Sequence, residues 1–226
     1  MIQWFQIITN YFKKSIYLIV FTSFSIAHAG SYEDFFRAIQ QDDGGQVSAL
    51  LQRGFDPNTL DPSGLHGLML ATKLQSMKVA EVLARWPKTT VEVRNSADES
   101  PLMLAALHGD LALCQLLIQK NADVNKTGWT PLHYAATKGH LEIMNLLLEE
   151  NAYIDAASPN GTTPLMMAAH YGTPSAVKAL LEAGADPMLK NVQGLSALDF
   201  ANRGNRTESA GIISAFVRGR QPKGSW

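Results

Sequence analysis

The stretch TGWTPLHYAATKGHLEIMNLLLEENAYID, Thr127–Asp155, decides the fold, because nearly every position in it has a physical task. Thr130 stands as an N-cap, its hydroxyl placed to accept from first-turn N–H groups that have no partner within the helix. Pro131 follows at the first helical position, where a missing N–H costs nothing. Leu132, Ala135 and Ala136 then share one face, and the two alanines are small enough for a second helix to approach closely. Gly139 ends this helix, since a left-handed residue is cheapest as glycine. From Leu141 onward, Ile143, Leu146 and Leu147 recur at offsets of three and four, one stripe of an amphipathic helix. Asn151, the next best residue for a left-handed cap, stops it. The stretch therefore reads as a helical hairpin.

The same pattern recurs along the chain. Pro164 in TTPLMMAAHYG lies 33 residues after Pro131, and Ala197 in LSALDFA lies 33 after Pro164. Upstream, Pro101 in ESPLMLAALHG is 30 residues before Pro131, and Gly67 in LHGLMLATKLQ is 34 before Pro101. Self-similarity at this period argues for stacked units rather than one globular fold. The pattern resembles the ankyrin repeat family, whose signature is a 33-residue period and a Thr-Pro-Leu-His-x-Ala core. That resemblance covers residues 31–216 and implies an all-α solenoid of helix-turn-helix units with short β-turn fingers. It divides the chain into about six units, 31–60, 61–94, 95–125, 126–157, 158–190 and 191–216, the first and last being degenerate caps. The motif positions are Thr130, Pro131, Leu132, His133 and Gly139, with Pro164 and Gly172 in the following unit.

The outer units depart from the pattern in ways their places explain. The first has lost Thr-Pro-Leu-His, which suits an end unit with no preceding neighbour to cover. The second is the least regular: His66-Gly67-Leu68-Met69 stands for Thr-Pro-Leu-His, Gln75 replaces the turn glycine, and Trp86-Pro87 replaces the exit. In the third, Asp98 occupies a finger position usually held by glycine. The connection into the fourth is three residues short, so its finger is expected to be blunt. Residues 217–226 show no periodicity and are expected to form a flexible tail.

Residues 1–29 read as a targeting segment. Lys13 and Lys14 precede an apolar run from Ile16 to Ile26, and Ala27-His28-Ala29 fits a small-x-small cleavage site. That run of 11 residues falls short of the ~20 needed to span a bilayer. Cleavage after Ala29 gives an exported protein, most simply periplasmic, with a secreted protein as the alternative. Beyond residue 29 there are 17 basic and 20 acidic residues, too weak an imbalance to mark a partner as nucleic acid or anionic lipid. Apolar residues make up 46% of the chain, ample for a core without disulfides. A monomer with no stable membrane insertion is expected.

Few residues invite a chemical reading. His133 is one, but the resemblance makes it structural, bridging neighbouring units by hydrogen bonds. Its column holds Met69, Met103, Met166 and Asp199 elsewhere, so no histidine ladder exists for acid–base work. Methionines in equivalent columns lie about one helix spacing apart, ~8–10 Å, far beyond the ~2.0–2.3 Å of metal–ligand bonds, so they read as core filling. Cys114, the lone cysteine, falls on the apolar side of its helix and reads as an inert thiol. Glu149, Glu150 and Asp155 read as solvated surface. No zinc-protease, nucleophile-elbow, phosphate-loop or paired-cysteine motif is present. Neither catalysis, a metal nor a cofactor is expected.

A binding surface remains. The resemblance implies that partners meet the finger-tip residue and the two residues after the paired alanines, all facing the concave side. The tip column is Leu65, Glu99, Trp129, Thr162 and Leu195. The groove columns include Lys73 with Leu74, Leu107 with His108, Thr137 with Lys138, and His170 with Tyr171. The expected protein-binding residues are Leu65, Leu74, Leu107, His108, Trp129, Lys138, His170 and Tyr171, with Trp129 and Tyr171 as anchors. His108 and His170 would make binding depend on pH. The expected function is that of a non-catalytic interaction module for an unidentified protein: a periplasmic scaffold, inhibitor or immunity-type partner. A secreted protein acting on a host or neighbouring cell is the alternative, and a metal-binding module the distant third.

Overall fold

The computed structural model describes residues 30–220, and the expected targeting segment lies outside them. Among the described residues the chain forms helices only, two per unit. The first unit pairs α1, residues 30–40, with α2, Gly44–Gln52. Then follow α3 (Gly67–Leu74) and α4 (Met77–Arg85), α5 (Pro101–His108) and α6 (Leu111–Gln119), and α7 (Pro131–Lys138) and α8 (Leu141–Glu149). The last two units are α9 (Pro164–Tyr171) with α10 (Pro174–Glu182), and α11 (Ala197–Arg203) with α12 (Thr207–Arg220). From α3 onward the odd-numbered helices form an inner row and the even-numbered ones an outer row.

The small residues of the motif set the spacing of the rows. Leu132, Ala135 and Ala136 are fully buried, as are Leu102, Ala105 and Ala106 in α5 and Leu165, Ala168 and Ala169 in α9. With methyl groups at the contacts, α5, α7, α9 and α11 pack closely on one another, whereas α6, α8 and α10 meet sparingly. A stack whose rows differ in this way curves, with the tighter row inside. Each outer helix seals its unit with larger side chains, such as Ile143, Met144 and Leu147 in α8. One continuous core runs from Phe35 to Ile213.

Two glycines of the motif have different reasons. Gly139 is left-handed at φ 74°, the conformation expected of it. Gly172 is extended, at φ −80° and ψ −151°, and what it supplies is room: a Cβ there would overlap the carbonyl oxygen of Ala136 in the preceding unit. Gly67 also supplies room, since a Cβ would press to 2.7 Å from the Phe35 ring. The end unit thus seats an aromatic ring where the Thr-Pro-Leu-His motif would otherwise begin. Gln75 and Asp98, which replace glycines, keep the left-handed backbone at φ 58° and 60°.

The expected tail from residue 217 is corrected in part. α12 runs on to Arg220, whose guanidinium lies 4.4 Å above the Phe216 ring. Residues 221–226 lie outside the described chain.

Candidate functional site

In α5, α7, α9 and α11 the first turn is closed by the third residue of the helix, whereas α3, with His66 before it, has no side-chain cap. In α5, Ser100 accepts from Met103 N–H at 3.2 Å while its own N–H meets Met103 Sδ at 3.4 Å. Thr163 and Met166 repeat this in α9, and Ser196 and Asp199 do so in α11. Met103 and Met166 therefore cap helices as well as filling space, while Met69 in the same column only fills it. In α7 the same place is His133, which forms a capping box with Thr130 and adds a contact to the cap hydroxyl. The Thr130 hydroxyl lies 2.8 Å from His133 Nδ1, and its backbone N–H also donates to Nδ1. Nδ1 is the acceptor, so Nε2 carries the proton and donates to the Thr162 carbonyl of the next unit at 2.9 Å. Burial pushes this imidazole down to about 4, against the pull of its carbonyl partners. Both nitrogens are engaged inside the stack.

Next to this joint lies the short finger of the fourth unit. The other fingers are closed by a backbone bond across the turn, as from Asn95 N–H to the Glu99 carbonyl and from Ser158 N–H to the Thr162 carbonyl. The fourth finger is anchored by Lys126, a buried residue whose Nζ pairs with Asp98 of the preceding finger. Trp129 then folds over the inner helix, its ring edge-on to His133 at 5.2 Å between centroids. Together with Leu107, Tyr134, Thr137 and Met167, these two rings line a cleft of about 230 Å³ at the middle of the concave face. An apolar cavity of about 150 Å³ holds a benzene ring, so a bulky side chain fits here. Tyr134 closes one wall and is fixed by its hydroxyl, which donates to Glu99 Oε1 at 2.8 Å. Burial and that carboxylate raise the phenol above its usual range, so it remains a donor.

Of the residues expected to bind, the structure brings Leu107 and Trp129 together in this cleft. Leu65 is half-buried against Met69, Val93 and Leu104. Leu74 is exposed at the end of α3, and Lys138 at the end of α7. The two histidines are tied into the scaffold: Gln75 Nε2 donates to His108 Nδ1 at 2.9 Å, and His170 Nδ1 donates to the Phe200 carbonyl at 2.9 Å. Tyr171 is exposed and stands edge-on to His170, 4.2 Å between centroids, outside the lining of the Trp129 cleft. Tyr134 and Met167 were not legible as lining residues, because their columns sit inside the Thr-Pro-Leu-His-x-Ala core, where side chains are usually read as packing.

The reading of Asp155 as solvated surface is also corrected. It is half-buried and accepts from Asp186 N–H at 3.1 Å, one step of a ladder that joins unit to unit at the exit side. Asn58 accepts from Thr90 N–H at 2.8 Å, Glu92 from Asp123 N–H at 2.9 Å and Asn125 from Tyr153 N–H at 2.7 Å. Burial raises the Asp155 carboxyl, Asp186 adding to it and the Asp186 N–H opposing. Cys114 is fully buried, and burial pushes its thiol up to about 12. Among the described residues no three His, Cys, Asp or Glu side chains gather to hold a metal ion, and no helix is long and apolar enough to cross a membrane.

Comparison with known proteins gives a consistent picture. A profile described as ankyrin repeats (3 copies) matches residues 35–127 and 68–158, and one described as ankyrin repeats (many copies) matches 154–201. The chain is 31% identical over 143 residues to rat ankyrin repeat and SAM domain-containing protein 6, covering 63% of this chain and 13% of that protein. It is 32% identical over 176 residues to the mouse nuclear factor NF-kappa-B p105 subunit, covering 75% of this chain and 18% of that one. The chain thus spans under a fifth of the length of these relatives. A solved structure, the Bd0816 predatory endopeptidase from Bdellovibrio bacteriovorus in complex with immunity protein Bd3460, contains a chain similar to this one. The TM-score is 0.70 and the identity 28%, covering 80% of this chain and 97% of that chain.

Proposed function

The chain belongs to the ankyrin repeat family, and we propose that it is an exported, non-catalytic module that binds one protein partner through its concave face. Ankyrin repeats are protein-binding scaffolds, and the observation that carries the reading to a place is the cleft under Trp129. A half-buried tryptophan beside Leu107 and Met167 offers apolar surface that the stack itself does not need for its core. Aromatic residues in such settings dominate binding energy. Likeness to a chain of an endopeptidase–immunity protein complex supports the immunity-type version, in which the partner is an enzyme held in check. The basic residues and apolar run before Ala29 support export, with the periplasm as destination and secretion as the alternative.

A pull-down from periplasmic extract tests this, with the wild-type full chain and a Trp129→Ala variant side by side. A protein retained by the first and weakened about thirtyfold or more in the second, equivalent to ~2 kcal/mol, is the expected result. Retention by both would displace the site from this cleft. Tyr171→Ala, tested separately, is expected to change affinity little. N-terminal sequencing of the mature protein checks export: a start at Gly30 is expected, and a start at Met1 would overturn it.

A further inference from the structure

The concave face sorts its charges. Every inner helix from α3 to α11 carries a basic residue in its last turn: Lys73, His108, Lys138, His170 and Arg203. A helix C-terminus favours a cation, which accounts for each of these singly. It does not account for what has become of the acids. On the same helices the only acidic residue is Asp199, which accepts from both the N–H and the hydroxyl of Ser196. At the fingers, Asp61 is bonded to the backbone of its own turn, Asp98 to Lys126, and Glu99 to Asn95 and Tyr134. These carboxylates are held by hydrogen bonds or by Lys126, and they keep their charge: Asp61 lies near Lys73, and Asp199 near Arg203. Lys73, Lys138 and Arg203 are exposed and, among the described residues, make no ion pair. On the outer helices Arg85 pairs with Glu81 at 2.8 Å and Lys178 with Glu182 at 3.7 Å, while Lys78 and Arg218 make no ion pair among the described residues. The face thus presents exposed cations with no carboxylate bonded to them, of which Lys138 stands furthest from the acids that the other two have beside them.

We propose that this face takes an acidic, extended peptide segment of the partner, with one bulky apolar side chain in the Leu107, Trp129 and Met167 cleft. Carboxylates on that segment meet Lys73, Lys138 and Arg203. The proposal rests on the protein-binding reading above and gives its partner a chemistry. The three cations belong to alternate units, the second, fourth and sixth, and the cleft is centred on the fourth. At ~8–10 Å per inner helix and ~3.3 Å per residue of extended chain, acidic residues about five or six apart reach successive cations.

Fluorescence anisotropy with the full chain and labelled synthetic peptides tests the proposal. The probes are a peptide of glutamate and glycine with a central leucine, the same with alanine at the centre, and the same with lysine replacing glutamate. The acidic leucine peptide is expected to bind at low salt and to weaken as salt rises. A loss of about tenfold or more is expected with the central alanine, and again with the Lys138→Glu/Arg203→Glu variant. Both substituted residues are exposed, so the helical circular dichroism should be unchanged, and Lys138→Gln/Arg203→Gln provides a milder pair. Equal binding of the lysine peptide, no effect of charge reversal, no binding of any peptide, or tighter binding of a single-stranded oligonucleotide would each overturn the proposal. The pull-down separates the two ideas. A partner lost on Trp129→Ala but kept on charge reversal leaves the cleft in place and removes the acidic segment, whereas one kept on Trp129→Ala removes the cleft itself.

Discussion

At the start of α7 the first turn is closed by an imidazole; at α5 and α9, one unit to either side, a thioether closes it. The backbone conformation is nearly the same in all three, with the cap residues extended at φ near −100° and proline following. The difference lies in reach. Met103 and Met166 bond back to their own cap and go no further. His133 bonds back through Nδ1 and forward through Nε2 to Thr162. One ring thereby turns a helix cap into a joint between units, and places a titratable group in the core.

The largest expected effect comes from deleting that joint. His133→Ala leaves the Thr130 N–H and hydroxyl and the Thr162 carbonyl without their partner and opens a cavity. We expect a loss of about 4 kcal/mol in urea unfolding, against about 2 to 3 for Met166→Ala. Equal losses would mean that the forward bond contributes nothing. Acid sensitivity comes next. The unfolded ring protonates near 6.5 and the folded one only at about 4. Below 6.5 the unfolded chain therefore binds the extra proton, and stability present at neutral pH is lost as pH falls through this window, by roughly 3 kcal/mol in all. His133→Met should remove this slope, and since Asp155 titrates alike in both proteins, the difference isolates the ring. The smallest effect sharpens the contrast from the other side. Met166→His places an imidazole one unit on, where the Leu195 carbonyl holds the position of Thr162. A gain of about 1 kcal/mol at neutral pH, with new acid sensitivity, is expected from thermal unfolding; no new sensitivity would mean that the ring has not entered the core.

Much of this was legible in the sequence. The prolines, the paired alanines and Gly139 announce helical hairpins at a fixed period, and each does its work locally, within a turn or two. Leu107 and Trp129 were legible as surface, because nothing in the repeat requires them to be apolar. What the sequence did not disclose depends on atoms brought together from different units. The acceptor of the forward bond from His133, the Thr162 carbonyl 29 residues on, is one such atom. Gly172 was legible only as a motif position, and its reason lies in a carbonyl of the preceding unit. Asp155 read as solvated because its donor, the Asp186 N–H, is 31 residues away along the chain. A separation of 28 residues likewise hid the pairing of Asp98 with Lys126, which seats the Trp129 finger.

The ladder at the exit side also runs in one direction. Asn58, Glu92, Asn125 and Asp155 each grip the unit that follows, but the next place in the column is Met188, 62% exposed, with neither amide nor carboxylate to offer. The sixth unit is nevertheless fastened along its other edge, where Arg206 donates to the carbonyls of His170 and Tyr171 and Val192 N–H to that of Asn160. Along the outer row α12 lies against α10 and buries Ile213, so packing takes over there from the missing side-chain bond. The outer row is thinnest further in, where α8 meets α6 and α10, so any give in the stack falls there while the closely packed inner row, and the groove built on it, keeps its shape.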